Sequence, residues 1–278
     1  MIGGGSILTV IAVVLISQLT GVDLTSMLGA QQQTGTTTST ASSIDTSVCT
    51  SGDSANKYTQ CRMVATAESL DAVWTEQLPS QAGLKYAKPE FVLLDGSQIS
   101  SACGNASSAV GPFYCSGDRT VYLDMSFFSE MERSLGAADT PLAEEYIVAH
   151  EFGHHIQHLT GQVAKADRSG SGATSDSVRL ELQADCYAGS CVNHASATPD
   201  PDTGKPFLNR PSSEEIKGAL GAAEAVGDDH IQERAKVHVD SDTWTHGSSE
   251  QRVRWFTTGM NSGSVQACNT FAVDASQL

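Results

Sequence analysis

The chain has 278 residues, with 16 Lys and Arg against 32 Asp and Glu, a formal net charge of −16 at pH 7. No lysine or arginine cluster is present to neutralise phosphates, which excludes nucleic acid as a partner and argues against docking on acidic surfaces. That charge suits a soluble secreted domain and does not identify a substrate, so the chemistry must be read from the 8 histidines and 7 cysteines.

The opening segment, MIGGGSILTVIAVVLISQLTGV, has no charge before Asp23, and its apolar centre runs from Ile7 to Leu19. With the flanking glycines it just suffices for a hydrocarbon core that needs about 20 residues. A cleaved signal peptide is the alternative, but no basic region precedes the apolar run and LGA before Gln31 is a poor cleavage site. The expectation is a transmembrane anchor over residues 1–24, its orientation left open by the missing basic flanks. Residues 25–48 form a polar tract that cannot bury enough surface to fold, and read as a disordered tether. Residues 49–278 suffice for one catalytic unit, and no internal repeat is visible.

Cys49 and Cys61 bracket one short polar loop and Cys103 and Cys115 another, each read as a local disulfide. Neither pair has the spacing of a zinc ribbon, and such loops are rare in the cytosol, so the folded domain is expected outside the cytoplasm. Cys186, Cys191 and Cys268 remain. The first two lie five apart on a predicted helix and point in different directions, so one pairs with Cys268 and the other stays free.

EFVLLDG (Glu90 to Gly96) and RTVYLDM (Arg119 to Met125) have the β-branched and apolar character of strands. Between them SSAVGPFYC leads into the turn SGD, which predicts a hairpin with RTVYLD. Pro112 then belongs at a sheet edge.

The segment PLAEEYIVAHEFGHHIQHLT follows, with Thr140 and Pro141 as N-cap and first helical residue and Gly161 as the stop. Its apolar residues seat it in or against the core. His150 and His154 lie four apart and so share one face, able to grip one metal ion, while Glu151 projects about 100° around the axis to reach a water on that ion. HExxH is then short of a third ligand, since catalytic zinc commonly takes three and leaves a fourth place for water. SDSVRLELQADCYAGSCVNHA supplies it on a second predicted helix, capped by Ser175 or Asp176. Glu181 completes a His, His, Glu set, and Asp185, one turn on, is placed to accept the spare N–H of a ligand histidine. This ExxxD pattern complements HExxH in gluzincins. A metzincin would need histidine and glycine where Thr160 and Gln157 stand.

Further on, SSEEIKGALGAAEAVGDDHIQERA is alanine-rich and predicted helical, with a break near Gly227. Ser248 and Gln251 make a capping box for SSEQRVRWF, a helix expected to end at Gly259. His246 at its entrance could donate to the oxyanion formed when water attacks a carbonyl, or could be a plain loop histidine. His155 and His158 lie off the ligand face and read as surface or packing residues, while His194, His230 and His238 have no spaced partner. The fold class is α+β, mainly helical with a small mixed or antiparallel sheet.

Four blocks in order, CGNASSAVGPFYCSGDRTVYLDMSFF, YIVAHEFGHHIQHLTG, RLELQADCYAG and THGSSEQRVRWFTTGM, resemble the bacterial neutral zinc metallopeptidase family over most of residues 49–278. The resemblance implies a zincin-like fold, a glycine-rich membrane-spanning N-terminus in the cell membrane, one catalytic zinc on His150, His154 and Glu181, and Glu151 as the catalytic base. It also implies Cys186 as the partner of Cys268, with Cys191 where a tryptophan is expected. His246 and Arg252 match the THP...R segment of integral-membrane gluzincins, although Gly247 replaces the proline. In zincins an edge strand beside the metal pairs with extended substrate, which makes Ala109, Val110, Gly111, Pro112 and Phe113 candidates for peptide binding; a merely structural edge is the alternative. The implied reaction is peptide-bond hydrolysis. A zinc-binding envelope module without activity is the rival, against which Glu151 counts, because a structural site has no use for it. A metal-dependent hydrolase of another bond is a second rival, for which HExxH is less typical.

Overall fold

The computed structural model describes residues 44–97, 99–106, 111–137 and 139–278. The expected anchor over 1–24, most of the tether, and Ala109 and Val110 lie outside them. Among the described residues no helix is long and apolar enough to cross a membrane.

The fold is α+β, mainly helical with a small mixed sheet. Helices α1 (Gly52–Lys57) and α2 (Thr59–Ala82) come first, and Cys49–Cys61 ties the incoming chain to the first turn of α2. Three strands form a sheet: β1 (Glu90–Leu94), β4 (Phe113–Cys115) and, between them, β5 (Thr120–Asp124). β1 runs parallel to β5, and β4 runs antiparallel to it at the edge, with Phe113 opposite Tyr122. β2 (Ile99–Ser101) and β3 (Gly104–Ala106) form a separate hairpin, which Cys103–Cys115 fastens to β4. All of β5 is buried, and its three middle residues, Val121, Tyr122 and Leu123, form an unbroken apolar run rather than an alternating one. Helix α3 (Ser126–Leu135) follows, ended by Gly136 at φ 74°.

Helix α4 (Pro141–Leu159) is the spine of the molecule. Thr140 is its N-cap and Pro141 its first residue, as the sequence suggests, and Gly161 at φ 71° turns the chain away after it. Leu142, Ala143, Tyr146, Ile147, Val148, Ala149, Phe152 and Ile156 are all buried, and this apolar coverage on most sides makes α4 a core helix. α5 (Asp176–Ala195) packs on it, and its N-cap is Ser175, whose hydroxyl accepts the Val178 N–H. α6 (Ser213–Ala225) and α7 (Asp228–Arg234) are separated at Val226 and Gly227, where a break was expected. α8 (Ser249–Ser262) opens with the capping box of Ser248 and Gln251, packs along α5 and α6, and is followed by a tail that Cys186–Cys268 bonds to α5.

The expected stop at Gly259 is a misreading. α8 runs on to Ser262, and Gly263 at φ 61° is its left-handed cap. Gly259 is needed for contact instead: a Cβ there would lie 1.8 Å from the Cys186 carbonyl oxygen, and one at Gly189 would lie 2.0 Å from that of Phe256. The two glycines let α5 and α8 touch backbone to backbone, which outweighs their intrinsic helix cost of about 1 kcal/mol each.

Overpacking a core commonly costs about 1–3 kcal/mol, and here the obstacle is rigid backbone, so Gly259→Ala should lose on the order of 3 kcal/mol or more. In a domain of this size that lowers Tm by roughly 6–12 °C. Thermal unfolding followed by circular dichroism checks it, and an unchanged Tm would show that the two helices are not in backbone contact.

Candidate metal centre

The site is built where α4 crosses α5. Gly153 sits inside the HExxH segment, and a Cβ at this position would approach the Ala184 Cα and carbonyl oxygen to 2.9 Å. Only a glycine permits this approach, which brings the turn of α5 between Glu181 and Asp185 against the histidine face of α4. The imidazoles of His150 and His154 stand 4.8 Å apart, ring centre to ring centre, nearly perpendicular. Glu181 bridges them, with Oε2 3.1 Å from His150 Nε2 and Oε1 3.4 Å from His154 Nε2. One donor atom from each of the three lies within 4.8 Å of the others. Two imidazole nitrogens and a carboxylate oxygen converging at this spacing fit a zinc ion with one coordination position left over.

The outward-facing nitrogens are fixed by buried acceptors. Asp185, fully buried, accepts the His150 Nδ1–H at 2.7 Å, the Tyr146 hydroxyl at 2.6 Å and the Arg252 guanidinium at 2.9 Å, all on Oδ1. A carboxylate held by such donors can only accept, so His150 keeps a hydrogen on Nδ1, and Nε2, facing Glu181, is the nitrogen a cation would take. Burial alone would raise the Asp185 pKa, but the charges of Arg252 and His150 outweigh it and hold the group ionised. His154 donates from Nδ1 to Gln157 Oε1 at 2.9 Å.

Glu151 follows His150 on α4 and is only 8 % exposed, yet among the described residues its carboxylate takes no hydrogen bond. His246 precedes α8. Asp228, at the start of α7, gathers the N–H groups of Thr245, His246 and Gly247 on Oδ2 and the His246 Nδ1–H on Oδ1 at 3.1 Å. Among the described residues His246 Nε2 takes no hydrogen bond. Burial lowers the His246 pKa, but the Asp228 bond and the charge of Glu181 more than offset it, so the imidazole is within electrostatic reach of the ligand carboxylate.

The candidate peptide-binding segment is only partly strand. Gly111 has φ 78° and packs against Phe127, Pro112 precedes the strand, and extended pairing begins at Phe113, which stacks on Tyr122. The edge strand is nonetheless fastened to α4, because the Tyr114 hydroxyl bonds His155 Nδ1 at 2.9 Å and His158 Nδ1 at 2.7 Å. His155 also donates from Nε2 to the Ala87 carbonyl and is fully buried, a packing residue and not a surface one. His194 and His230 each bond a backbone carbonyl, of Gly263 and Leu135. Cys191 is a buried free thiol, and Cys186 is the residue joined to Cys268.

Sequence reasoning missed Gln157, Tyr146 and Asp228, and gave Arg252 no role. Gln157 lies three residues after His154 on the same helix, a spacing that brings side chains together and could have marked it. Tyr146, four residues before His150 on the same helix, carries a signal of the same kind, and Asp228 carries none.

A family model described as "Putative neutral zinc metallopeptidase" matches residues 1–271. The chain is 45% identical over 256 residues to "Uncharacterized protein Rv2575" of Mycobacterium tuberculosis (strain ATCC 25618 / H37Rv), covering 92% of this chain and 85% of the relative. It is 37% identical over 276 residues to "Uncharacterized protein YpfJ" of Escherichia coli (strain K12), covering 96% and 86%. No solved structure matches it.

In the metal-free protein, burial works against a charged imidazole at His150 and His154. Asp185 and Glu181 outweigh it at His150, and Glu181 at His154, so both pKa values are raised above 6.5. A cation must displace those protons, and each proton released makes affinity tenfold stronger per pH unit. Zinc affinity measured by chelator competition should therefore rise by at least about tenfold from pH 6 to pH 7. An affinity flat across that interval would mean that these imidazoles are not the ligands.

Proposed function

The chain belongs to the family described as "Putative neutral zinc metallopeptidase", and from that premise we propose that it is a zincin-like peptidase that hydrolyses peptide bonds. One zinc ion would be held by His150, His154 and Glu181. The observation that carries this reading is the convergence of those three donors beside Glu151, a buried carboxylate that takes no hydrogen bond among the described residues.

Zinc in such a site makes a water molecule acidic near neutral pH and polarises a carbonyl. Glu151 takes a proton from the attacking water and returns it to the departing amine, acting as general base and then general acid. His246, held by Asp228 at Nδ1, would donate from Nε2 to the oxyanion of the tetrahedral intermediate in its imidazolium form, with both ring nitrogens protonated. Asp185 keeps His150 in the tautomer that binds a cation, and Arg252 keeps Asp185 ionised.

The substrate would be a peptide or an unfolded protein segment, and the β4 edge from Phe113 is the surface proposed for pairing with it. Three disulfides support a location outside the cytoplasm. The apolar run at residues 7–19 supports a single membrane anchor for the catalytic domain.

The test is cleavage of casein by the zinc-loaded protein against Glu151→Gln. The variant should keep its zinc and lose turnover by about 10²–10⁴-fold. Zinc bound with no Glu151-dependent cleavage would favour the inactive zinc-binding module instead.

A further inference from the structure

His150 has a charged partner behind it and His154 a neutral one, and the neutral one does not stand alone. Gln157 is fully buried, and its Nε2 donates to the Leu180 carbonyl at 2.6 Å and to Gln183 Oε1 at 3.2 Å. Gln183, also buried, donates from Nε2 to the Cys268 carbonyl at 3.0 Å, and Cys268 is bonded to Cys186 on α5. A backbone carbonyl can only accept, so both amide nitrogens have their positions dictated from outside the pair. Each Oε1 must then point the other way. That of Gln183 meets Gln157, and that of Gln157 meets His154 Nδ1, which must therefore carry the hydrogen.

We propose that Gln157 and Gln183 are positioning residues of the metal centre: a one-way amide chain, anchored at the Cys268 carbonyl, that fixes the tautomer and ring orientation of His154 and steadies the backbone beside Glu181. The second effect follows because Leu180, whose carbonyl Gln157 holds, is the residue immediately before that ligand. One side chain of α4 thus sets a ligand on its own helix and braces a ligand on the next. Two apolar residues would fill the same volume without doing either. The pair has no charge, so it orients His154 without adding to the negative charge that Glu181 already brings to the site. The tail after α8, remote in sequence from either ligand helix, becomes part of the metal site through the Cys268 carbonyl and its disulfide.

This inference rests on the zinc-site reading, so zinc stoichiometry of the unaltered protein is measured first. A protein that binds no zinc overturns that reading, and this inference with it, before any variant is made. Given one bound zinc, dissociation by chelator competition is compared with Gln157→Leu and Gln183→Met, alongside thermal unfolding of the metal-free forms. Gln157→Leu should loosen zinc by about 10–100-fold, the range for losing such an orienting partner. Gln183→Met, which leaves the direct partner of His154 in place, should loosen it less. A purely structural role would lower the unfolding temperature and leave zinc affinity unchanged, and that result overturns the proposal. Should Gln157→Leu fail to fold, nitrogen-15 NMR of the unaltered zinc-loaded protein still decides: hydrogen on Nδ1 of His154 supports the chain, and a bare Nδ1 overturns it.

Discussion

The contact on which the site depends is the close crossing of α4 and α5 at Gly153 and Ala184. HExxH alone offers two imidazoles on one helical face and no third ligand. The third arrives only because α5 lies within a Cβ's width of α4, with Glu181 one turn before the crossing and Asp185 one residue after it. A side chain at residue 153 would push the helices apart at the point where the carboxylate must meet Nε2 of both histidines at 3.1 and 3.4 Å. The α5–α8 contact at Gly189 and Gly259 performs the same service on the far side of α5, delivering Arg252 to Asp185. α5 is therefore gripped between two glycine crossings, and carries the candidate ligand Glu181 and the carboxylate of Asp185 between closely packed neighbours.

The charges around the site are divided by purpose. Asp185 and Arg252 are buried together and cancel, which leaves Glu181 as the anion of the ligand set and makes a bound dication net positive there. That sign suits the polarisation of a carbonyl and the stabilisation of an oxyanion. A buried ion pair is expensive to desolvate and is weak evidence for stability. Its use here is orientation: Asp185 directs the His150 ring, and Arg252 with Tyr146 keeps Asp185 an acceptor. The other ring is directed by amides, so two different chemistries hold one pair of equivalent imidazoles. The strong negative charge of the whole chain plays no part in this geometry.

Much of this was legible in the sequence wherever the signal is local. The i, i+4 spacings of His150 with His154 and of Glu181 with Asp185, the caps at Thr140, Pro141 and Ser175, and the capping box of Ser248 and Gln251 are fixed by helix geometry alone. The break near Gly227 and the two short cysteine loops are local in the same sense. What stayed hidden depends on partners distant in the chain. Gly259 reads as a terminator, because a glycine near the end of an amphipathic run is one; its use as a contact point becomes visible only once Cys186 lies beside it. The support given to His246 by Asp228, to Asp185 by Tyr146 and to the edge strand by His155 and His158 is tertiary, and no spacing rule encodes it. Helix α2 was not anticipated, because most of its burial is decided by the elements that pack on it.

The most direct measurement of the central claim is zinc K-edge X-ray absorption of the purified, zinc-loaded protein. The account predicts a nitrogen and oxygen shell alone, at about 2.0–2.2 Å, with the outer scattering of two imidazoles. A sulfur shell near 2.3 Å, or scattering from one imidazole or none, would contradict it.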